Sequence, residues 1–298
     1  MTQTLSLEGK VAVITGGARN IGKRVAAEMI SRGAKVVIGD LLDAEGEATI
    51  NEFNVSAGSK VAAYIHTDVT KYSDNKALFA LAQEEFGGVD IAFLNAGIGT
   101  NANAMFLPLD DKVDNRMCDI NTTAVVKGSK VAMLYMAKRG GGVIVNTASV
   151  AGFLCSPAVG IYAASKHGVI GWTRSNAIFE HVCGVRMNAV CPYWVETELA
   201  GDLGNGGDQD PFAKFVADSS RTKVETVVEA VLTLVEDKSR NAQTLLALPG
   251  DVIRPQEPIA TYPEIADAKY QAMVPKYAQE AIVFYKKKLA DALEREGI

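Results

Sequence analysis

The sequence predicts an α/β fold, a doubly wound parallel sheet of about seven strands with helices on both faces. Short apolar runs rich in Val and Ile alternate with longer amphipathic segments through most of the chain. Continuous apolar runs are typical of parallel strands that are buried on both faces. Strand–helix alternation requires right-handed crossovers, which place helices on both faces of one sheet. A glycine-rich turn directly after the first strand also favours this fold.

Seven strands and six helices are predicted in order along the chain. The strands are the apolar runs at residues 11–15, 35–39, 61–65, 89–95, 142–148, 184–190 and 244–249. The helices are the segments near residues 20–32, 43–56, 70–86, 110–139, 158–182 and 222–237. Residues 198–215 interrupt the alternation, because their Gly-, Asp- and Asn-rich centre predicts a loop. Phe212 and Phe215 beside that centre indicate that the loop covers something apolar.

The last part of the chain, residues 251–298, is predicted to be a helical C-terminal extension of a single domain formed by residues 1–250. Its helix places an apolar stripe along one side, made of Ala281, Phe284 or Tyr285, Leu289 and Leu293. The stripe predicts packing on the same domain or on a neighbouring subunit. A helix lying on a membrane surface is the alternative, which is disfavoured because the polar face mixes both charge signs.

Composition and charge exclude several classes of function. The chain has 298 residues, a formal net charge of -5 and a sequence pI near 5.4, which argues against a general nucleic-acid binder. No apolar run is long enough to predict a membrane span, and the polar N-terminus predicts no secretory signal. The four cysteines and three histidines fit no metal-ligand spacing. Reduced thiols in a cytoplasmic protein are therefore expected.

The turn TGGARNIG at residues 15–22 lies between the first strand and the first helix and predicts a dinucleotide site. Glycines let the backbone approach a pyrophosphate, and the start of the helix offers free N–H groups and the positive end of its dipole. Asp40 ends the second strand and can accept hydrogen bonds from both ribose hydroxyls, while it repels a 2′-phosphate. Asp40 therefore favours NAD, whereas Arg19 in the turn could bind the phosphate of NADP.

Further motifs follow this turn in a fixed order. They are Asp68–Val69, Asn95–Ala96–Gly97, Asn121, Ser149, the run Tyr162-Ala-Ala-Ser-Lys166, and Pro192 with Thr197. With them the chain resembles the short-chain dehydrogenase/reductase family in its standard single-domain form, over roughly residues 7–250. The layout after residue 224 is similar to that of hydroxyprostaglandin-dehydrogenase-like members. The resemblance implies a Rossmann-type catalytic domain, a nicotinamide cofactor, and assembly as a homodimer or homotetramer.

The resemblance also implies which residues hold the dinucleotide. These cofactor-binding residues are Gly16, Arg19, Asn20, Ile21, Gly22, Asp40, Asp68, Val69, Asn95, Ala96, Gly97, Tyr162, Lys166, Pro192, Val195 and Thr197. Two positions depart from the family pattern. Asn20 replaces the second glycine of the turn, and asparagine is the residue best able to adopt the positive φ needed there. Tyr193 replaces the glycine after Pro192, where its ring would either narrow the substrate side or stack on the substrate.

Four catalytic residues are implied, namely Asn121, Ser149, Tyr162 and Lys166. Tyr162 and Lys166 are four positions apart on a predicted helix and so share one face. The Lys166 ammonium and a positive nicotinamide ring both favour the phenolate, which predicts a lowered pKa for Tyr162. Tyr162 would then be the acid/base, Ser149 would hold the substrate oxygen, and Asn121 would hold a water that links Lys166 to solvent.

The implied substrate-binding residues are Ser149, Ala151, Phe153, Tyr162, Tyr193 and Trp194. Their apolar and aromatic character predicts a hydrophobic substrate, either lipid-like or a secondary metabolite. The predicted function is therefore an NAD(H)-dependent oxidoreductase acting on a secondary alcohol or ketone. Two alternatives remain. Arg19 motivates an NADPH-dependent ketoreductase, and a non-catalytic dinucleotide-sensing protein is the second, which the intact Ser149, Tyr162 and Lys166 argue against.

Overall fold

The computed structural model describes residues 7–99, 106, 109–154, 156–203, 211–257 and 262–298. Within this part of the chain the strands are β1 (Val11–Thr15), β2 (Lys35–Asp40), β3 (Ala62–His66), β4 (Ile91–Leu94), β5 (Gly142–Thr147), β6 (Val185–Pro192), β7 (Thr244–Leu248) and β8 (Val252–Pro255). They form one sheet in the order β3-β2-β1-β4-β5-β6-β7-β8. β1 to β7 pair in parallel, and β8 is antiparallel to β7. The predicted fold class is confirmed, and β8 is an additional strand.

Helices cover both faces of this sheet. They are α1 (Asn20–Ser31), α2 (Asp43–Ala57), α3 (Tyr72–Phe86), α4 (Asp111–Cys118), α5 (Ala124–Arg139), α6 (Gly160–Ser175), α7 (Phe179–Cys183), α8 (Glu198–Leu203), α9 (Pro211–Asp218), α10 (Val224–Glu236) and α11 (Ala268–Glu296). The predicted helix 110–139 is α4 and α5 joined by a π-helical turn at Asp119–Thr123. The predicted helix 158–182 is divided into α6 and α7.

The core has two layers because every central strand is buried on both faces. In β1, Ala12 and Ile14 belong to the layer under α1 and α10, whereas Val11 and Val13 belong to the layer under α3, α5 and α6. This alternation explains why the strands are continuous apolar runs in the sequence. The parallel strands all end at one border of the sheet, and loops after β1, β4, β5 and β6 meet there.

The C-terminal helix α11 packs on the same chain through part of its predicted stripe. Ala281 is buried, and the Tyr285 ring packs edge-on against Phe179 of α7 with ring centroids 5.3 Å apart. Near its end, Glu296 pairs with Lys76 of α3 at 2.5 Å. Phe284, the stripe's alternative member, is 55 % exposed. No helix in the described ranges is both long and apolar enough to span a bilayer.

Candidate active site

The glycine-rich turn after β1 is built so closely that side chains are excluded from two positions. A Cβ on Gly22 would lie 2.1 Å from the carbonyl oxygen of Gly16, and a Cβ on Gly16 would lie 2.8 Å from Cα of Ala96. Asn20 adopts φ +51°, the left-handed conformation expected where it replaces a glycine. Arg19 is the N-cap of α1, and its side chain makes no capping hydrogen bond. The backbone and the uncapped start of α1 therefore fit a dinucleotide pyrophosphate.

The Asp40 carboxylate is fixed beside this turn by backbone donors. Its Oδ2 accepts a hydrogen bond from the N–H of Ala18 at 3.0 Å, and its Oδ1 accepts one from Leu42 at 3.2 Å. The turn is held from the other side by Thr49, whose hydroxyl donates to the carbonyl of Ala18 at 2.9 Å. The carboxylate thus has a set position next to the glycine-rich turn, as its predicted role at a ribose diol requires.

Arg19, the cation of the turn, is paired with Glu198 at the start of α8. The sequence indicated no partner for Arg19, because Glu198 lies in the segment predicted to be a loop. The ion pair joins the glycine-rich turn to the segment after β6. It directs the guanidinium towards Glu198 and places a carboxylate beside it.

Asp68, predicted to bond the adenine amino group, lies in the turn after β3. Its carboxylate accepts hydrogen bonds from the Thr70 hydroxyl at 2.6 Å and the Thr70 N–H at 3.0 Å. The Thr70 hydroxyl is the main reason that the pKa of Asp68 is lowered, with further help from Lys71 at 3.1 Å. The carbonyl of the neighbouring Val69 accepts a bond from the buried Asn75 at 2.8 Å.

Asn95 connects three strands at the border of the sheet. Its side-chain amide donates to the carbonyl of Gly16 at 3.0 Å, and its oxygen accepts from the Thr147 hydroxyl at 3.3 Å. The Thr15 hydroxyl accepts from the N–H groups of Asn95 and Ala96 at 3.0 and 3.2 Å. These contacts hold the loop after β4 against the glycine-rich turn, as the cofactor role implied for Asn95 and Ala96 requires.

Asn121 is fully buried in the π-helical turn between α4 and α5. Its Oδ1 accepts from the N–H of Ile98 and its Nδ2 donates to the carbonyl of Ile98, both at 2.9 Å. Nδ2 also lies 3.2 Å from Oγ of Ser165 on α6. The side chain therefore holds the loop after β4, a role that the sequence did not indicate. A Cβ on Gly97 would lie 3.1 Å from Oδ1 of Asn121, so this loop passes close by.

Ser149, Tyr162 and Lys166 meet where β5 ends and α6 begins. Tyr162 and Lys166 are 7 % and 3 % exposed. The Ser149 side chain lies close enough to the Tyr162 hydroxyl to lower its pKa. The Lys166 ammonium donates to the carbonyl of Thr147 at 2.9 Å and lies 5.7 Å from the centroid of the Tyr162 ring. The predicted spacing along one face of α6 thus brings the phenol and the amine together, and the segment after β5 adds the hydroxyl of Ser149.

Burial controls the protonation of this group. It raises the pKa of Tyr162 to about 12, and the hydrogen bond with Ser149 acts in the opposite direction. Burial also lowers the pKa of Lys166 to about 8. The predicted lowering of the Tyr162 pKa is therefore wrong for the protein alone, because the desolvation of a phenolate outweighs the neighbouring hydrogen bond. The chain by itself keeps a neutral phenol here at pH 7.

Cys191 is a neighbour of this group that sequence reasoning missed. It is fully buried near the end of β6, and burial raises the pKa of its thiol to about 12. The thiol is therefore neutral beside Lys166. Cys118, Cys183 and Cys191 are free, and Cys155 lies outside the described residues.

The segment after β6 lies next to Ser149. Pro192 ends β6, and Val195 forms an isolated parallel bridge with Thr222 that fixes the chain before α8. The Thr197 hydroxyl lies 3.5 Å from the carbonyl of Val195. Val195 and Thr197, which are implied in holding the nicotinamide carboxamide, thus follow Pro192 closely along the chain. The Pro192 carbonyl lies 3.5 Å from Oγ of Ser149.

An apolar cluster surrounds Tyr162 on the substrate side. Its buried members are Met117, Val159 and Tyr162, and Ile98, Ala151, Ile161, Trp194, Leu199 and Phe212 pack against them. Ala151 and Trp194, which were predicted to bind substrate, therefore lie near Tyr162. Tyr193 lies beside Trp194. Phe153 is not brought there. It packs in the core layer that contains Ile170, and the Arg174 guanidinium lies 5.6 Å from its ring centroid.

Comparison with known proteins identifies the family. The family model described as short chain dehydrogenase matches residues 10–207. The chain belongs to the short-chain dehydrogenase family. It is 36 % identical over 234 residues to trans-4-hydroxycyclohexanecarboxylate dehydrogenase of Sinomonas cyclohexanicum, covering 77 % of this chain and 87 % of that protein. It is 32 % identical over 240 residues to secoisolariciresinol dehydrogenase of Forsythia intermedia, covering 78 % and 85 %.

A solved structure has the same fold. The crystal structure of gox2181 superposes with a TM-score of 0.74 at 25 % identity, covering 83 % of this chain and 97 % of that one. Short-chain dehydrogenases use nicotinamide dinucleotides, which the crowded glycines and the uncapped α1 fit. This short-chain dehydrogenase is thus an oxidoreductase of the alcohol/ketone type.

Proposed function

We propose that the chain is an NAD(H)-dependent dehydrogenase that moves a hydride between the nicotinamide and a secondary alcohol or ketone, with Tyr162 as its acid/base. The observation that carries this proposal is the group of Ser149, Tyr162 and Lys166, in which a half-buried hydroxyl lies beside a buried phenol and a buried amine. A pure sensor of dinucleotides would need none of these three side chains.

In alcohol oxidation, the Tyr162 oxygen takes the carbinol proton while the carbinol carbon loses its hydride and becomes a carbonyl. A bound nicotinamide would supply the hydride acceptor, and the positive charge of its oxidised ring would favour the phenolate form of Tyr162. Ser149 holds the substrate oxygen through its hydroxyl and stabilises the charge that develops there. In ketone reduction, Tyr162 donates its proton, for which the neutral phenol is already in the correct form.

Lys166 and Asn121 position this chemistry. The Lys166 ammonium is fixed by Thr147 and adds positive charge within about one turn of Tyr162. Asn121 fixes the loop that carries Gly97, so that the backbone of this loop passes close to Asn121 and Lys166. Tyr162, Lys166 and Asn121 are all buried, so water is kept away from the phenolate and the charges of Tyr162 and Lys166 interact more strongly.

The proposed cofactor is NAD rather than NADP. A 2′-phosphate would face the fixed Asp40 carboxylate, and like charges at close range in a partly desolvated site cost several kcal/mol. Arg19, which motivated the NADPH-dependent ketoreductase alternative, is paired with Glu198. A comparison of kcat/KM for NAD and NADP tests this choice, and a preference for NADP contradicts it.

The substrate is proposed to be a hydrophobic cyclic alcohol. Two relatives are named for trans-4-hydroxycyclohexanecarboxylate and for secoisolariciresinol, and the cluster around Tyr162 is apolar. We further propose a homodimer or homotetramer and a cytoplasmic location. The location is supported by the free thiols of Cys118, Cys183 and Cys191.

The decisive experiment is the Tyr162→Phe variant. It removes one hydroxyl and keeps the ring, so oxidation of cyclohexanol should fall by about 100-fold or more while NADH binding changes little. Tyr135→Phe is the matched control, because Tyr135 is a half-buried tyrosine that packs on Phe79 in α3. Turnover retained in Tyr162→Phe contradicts the mechanism. Tight NADH binding without turnover of any alcohol or ketone would support the sensing alternative.

A further inference from the structure

Four aromatic side chains form a continuous row that begins beside the catalytic group. Tyr193, Trp194, Phe212 and Phe215 follow one another with ring centroids 6.2, 6.1 and 5.9 Å apart. The first two contacts are edge-to-face and the last is stacked. These spacings are those of mutually attractive aromatic pairs, so the row is a defined surface. We refer to it as the aromatic row.

The inner part of the aromatic row belongs to the substrate side of the site. Trp194 and Phe212 pack against the cluster that contains the buried Tyr162. Tyr193 and Trp194 directly follow Pro192, whose carbonyl lies 3.5 Å from Oγ of Ser149. A molecule whose carbinol lies between Ser149 and Tyr162 therefore has this row beside it.

The outer end of the row is not needed to close the core. Phe215 is 55 % exposed on α9, and the same helix buries Val216 instead. Phe215 stacks on Phe212, and more than half of its surface is left in water although the core needs only the adjacent valine. The free surface of Phe215 continues the apolar surface that begins at Tyr162.

We propose that the aromatic row binds a second ring of the substrate, so that the preferred substrates are secondary alcohols or ketones with at least two linked or fused rings. This inference rests on the proposed function and specifies its substrate class. Three steps of about 6 Å are longer than one six-membered ring can cover. The rings offer flat apolar surface, which selects an uncharged, ring-bearing outer portion.

Turnover of two alcohols tests the proposal. Wild-type protein should oxidise 4-phenylcyclohexanol with a kcat/KM about tenfold above that of cyclohexanol, through a lower KM. Phe215→Ala should lower kcat/KM for 4-phenylcyclohexanol by about three- to tenfold, the usual effect of one aromatic contact, and change cyclohexanol less than twofold. Phe284→Ala is the matched control, because Phe284 is equally exposed on α11. Equal rates for both alcohols, or equal losses in Phe215→Ala, would overturn the proposal.

A binding measurement separates this proposal from the proposed function. The chain has two tryptophans, so Trp172→Phe leaves Trp194 as the single emitter. The emission of Trp194 should respond to 4-phenylcyclohexanone at about tenfold lower concentration than to cyclohexanone, and Phe215→Ala should remove most of that difference. This result without turnover would support the row and contradict the dehydrogenase. Identical titrations for both ketones would overturn the row even in an active enzyme.

Discussion

At Gly22 a single Cβ decides whether the dinucleotide turn can form. The added atom of Gly22→Ala would lie 2.1 Å from a backbone oxygen, and no flexible side chain can move to make room. NADH affinity should therefore fall by about 100-fold, as measured by fluorescence titration. Gly171→Ala is the control, because nothing lies within 4 Å of its Cβ and alanine favours the interior of α6. Unchanged NADH affinity in Gly22→Ala would contradict this account of the turn.

Lys166 should make the stability of the protein depend on pH. Burial lowers its pKa from 10.5 to about 8 in the folded chain, so between these values the unfolded chain holds more protons. The free energy of unfolding therefore rises with pH across that window. The cost of burying the charged ammonium, which destabilises the folded chain, is fully present below pH 8. Lys166→Met has no buried ammonium and therefore does not carry this cost. It should be stabilised relative to wild type at pH 7 by on the order of 2 kcal/mol more than at pH 10.

Urea denaturation of both proteins at the two pH values measures this difference. The buried Tyr162 is present in both proteins, so its own titration largely cancels. Lys288→Met, which removes an exposed lysine of α11, is the matched control. The same offset between Lys166→Met and wild type at both pH values would contradict the buried-ammonium assignment.

Single residues were predictable where backbone geometry or a motif fixes them. Gly16, Gly22 and Asn20 were placed correctly in the turn because their conformations are local properties of the chain. The direction of the Tyr162 pKa shift could not be predicted, because desolvation depends on everything packed around the phenol. The Arg19–Glu198 pair joins residues 179 positions apart and has no local signal. The residue roles in catalysis and cofactor binding stay predictions until the variants are measured.

At the scale of elements, the α11 helix is held against α7 by an aromatic contact. Tyr285 packs on Phe179, and α11 has little else buried besides Ala281. Tyr285→Ala should therefore release the helix, and hydrogen exchange in residues 268–296 should accelerate by about tenfold while β1 to β7 keep their protection. Val283→Ala, which shortens an exposed side chain of the same helix, should leave exchange unchanged. Acceleration throughout the sheet in Tyr285→Ala would show instead that α11 stabilises the whole fold.

Elements were predicted well where burial imposes a period and poorly where it does not. All seven parallel strands lie at or within about two residues of the predicted runs, because each is apolar on both faces. β8 was missed because its four residues are largely exposed and carry no apolar pattern. The division of residues 110–139 was missed because a π-helical turn changes the hydrogen bonding without changing the amphipathic pattern.

At the scale of the whole molecule, β8 determines how the sheet ends. It pairs antiparallel to β7 from Leu248↔Val252 to Leu245↔Pro255 and is mostly exposed. Pro255 has no N–H to offer, and four residues give a neighbouring chain little length to pair with. Growth of the sheet from molecule to molecule is therefore disfavoured at this border. Concentrated solutions should accordingly yield discrete assemblies rather than fibrils that start from this strand.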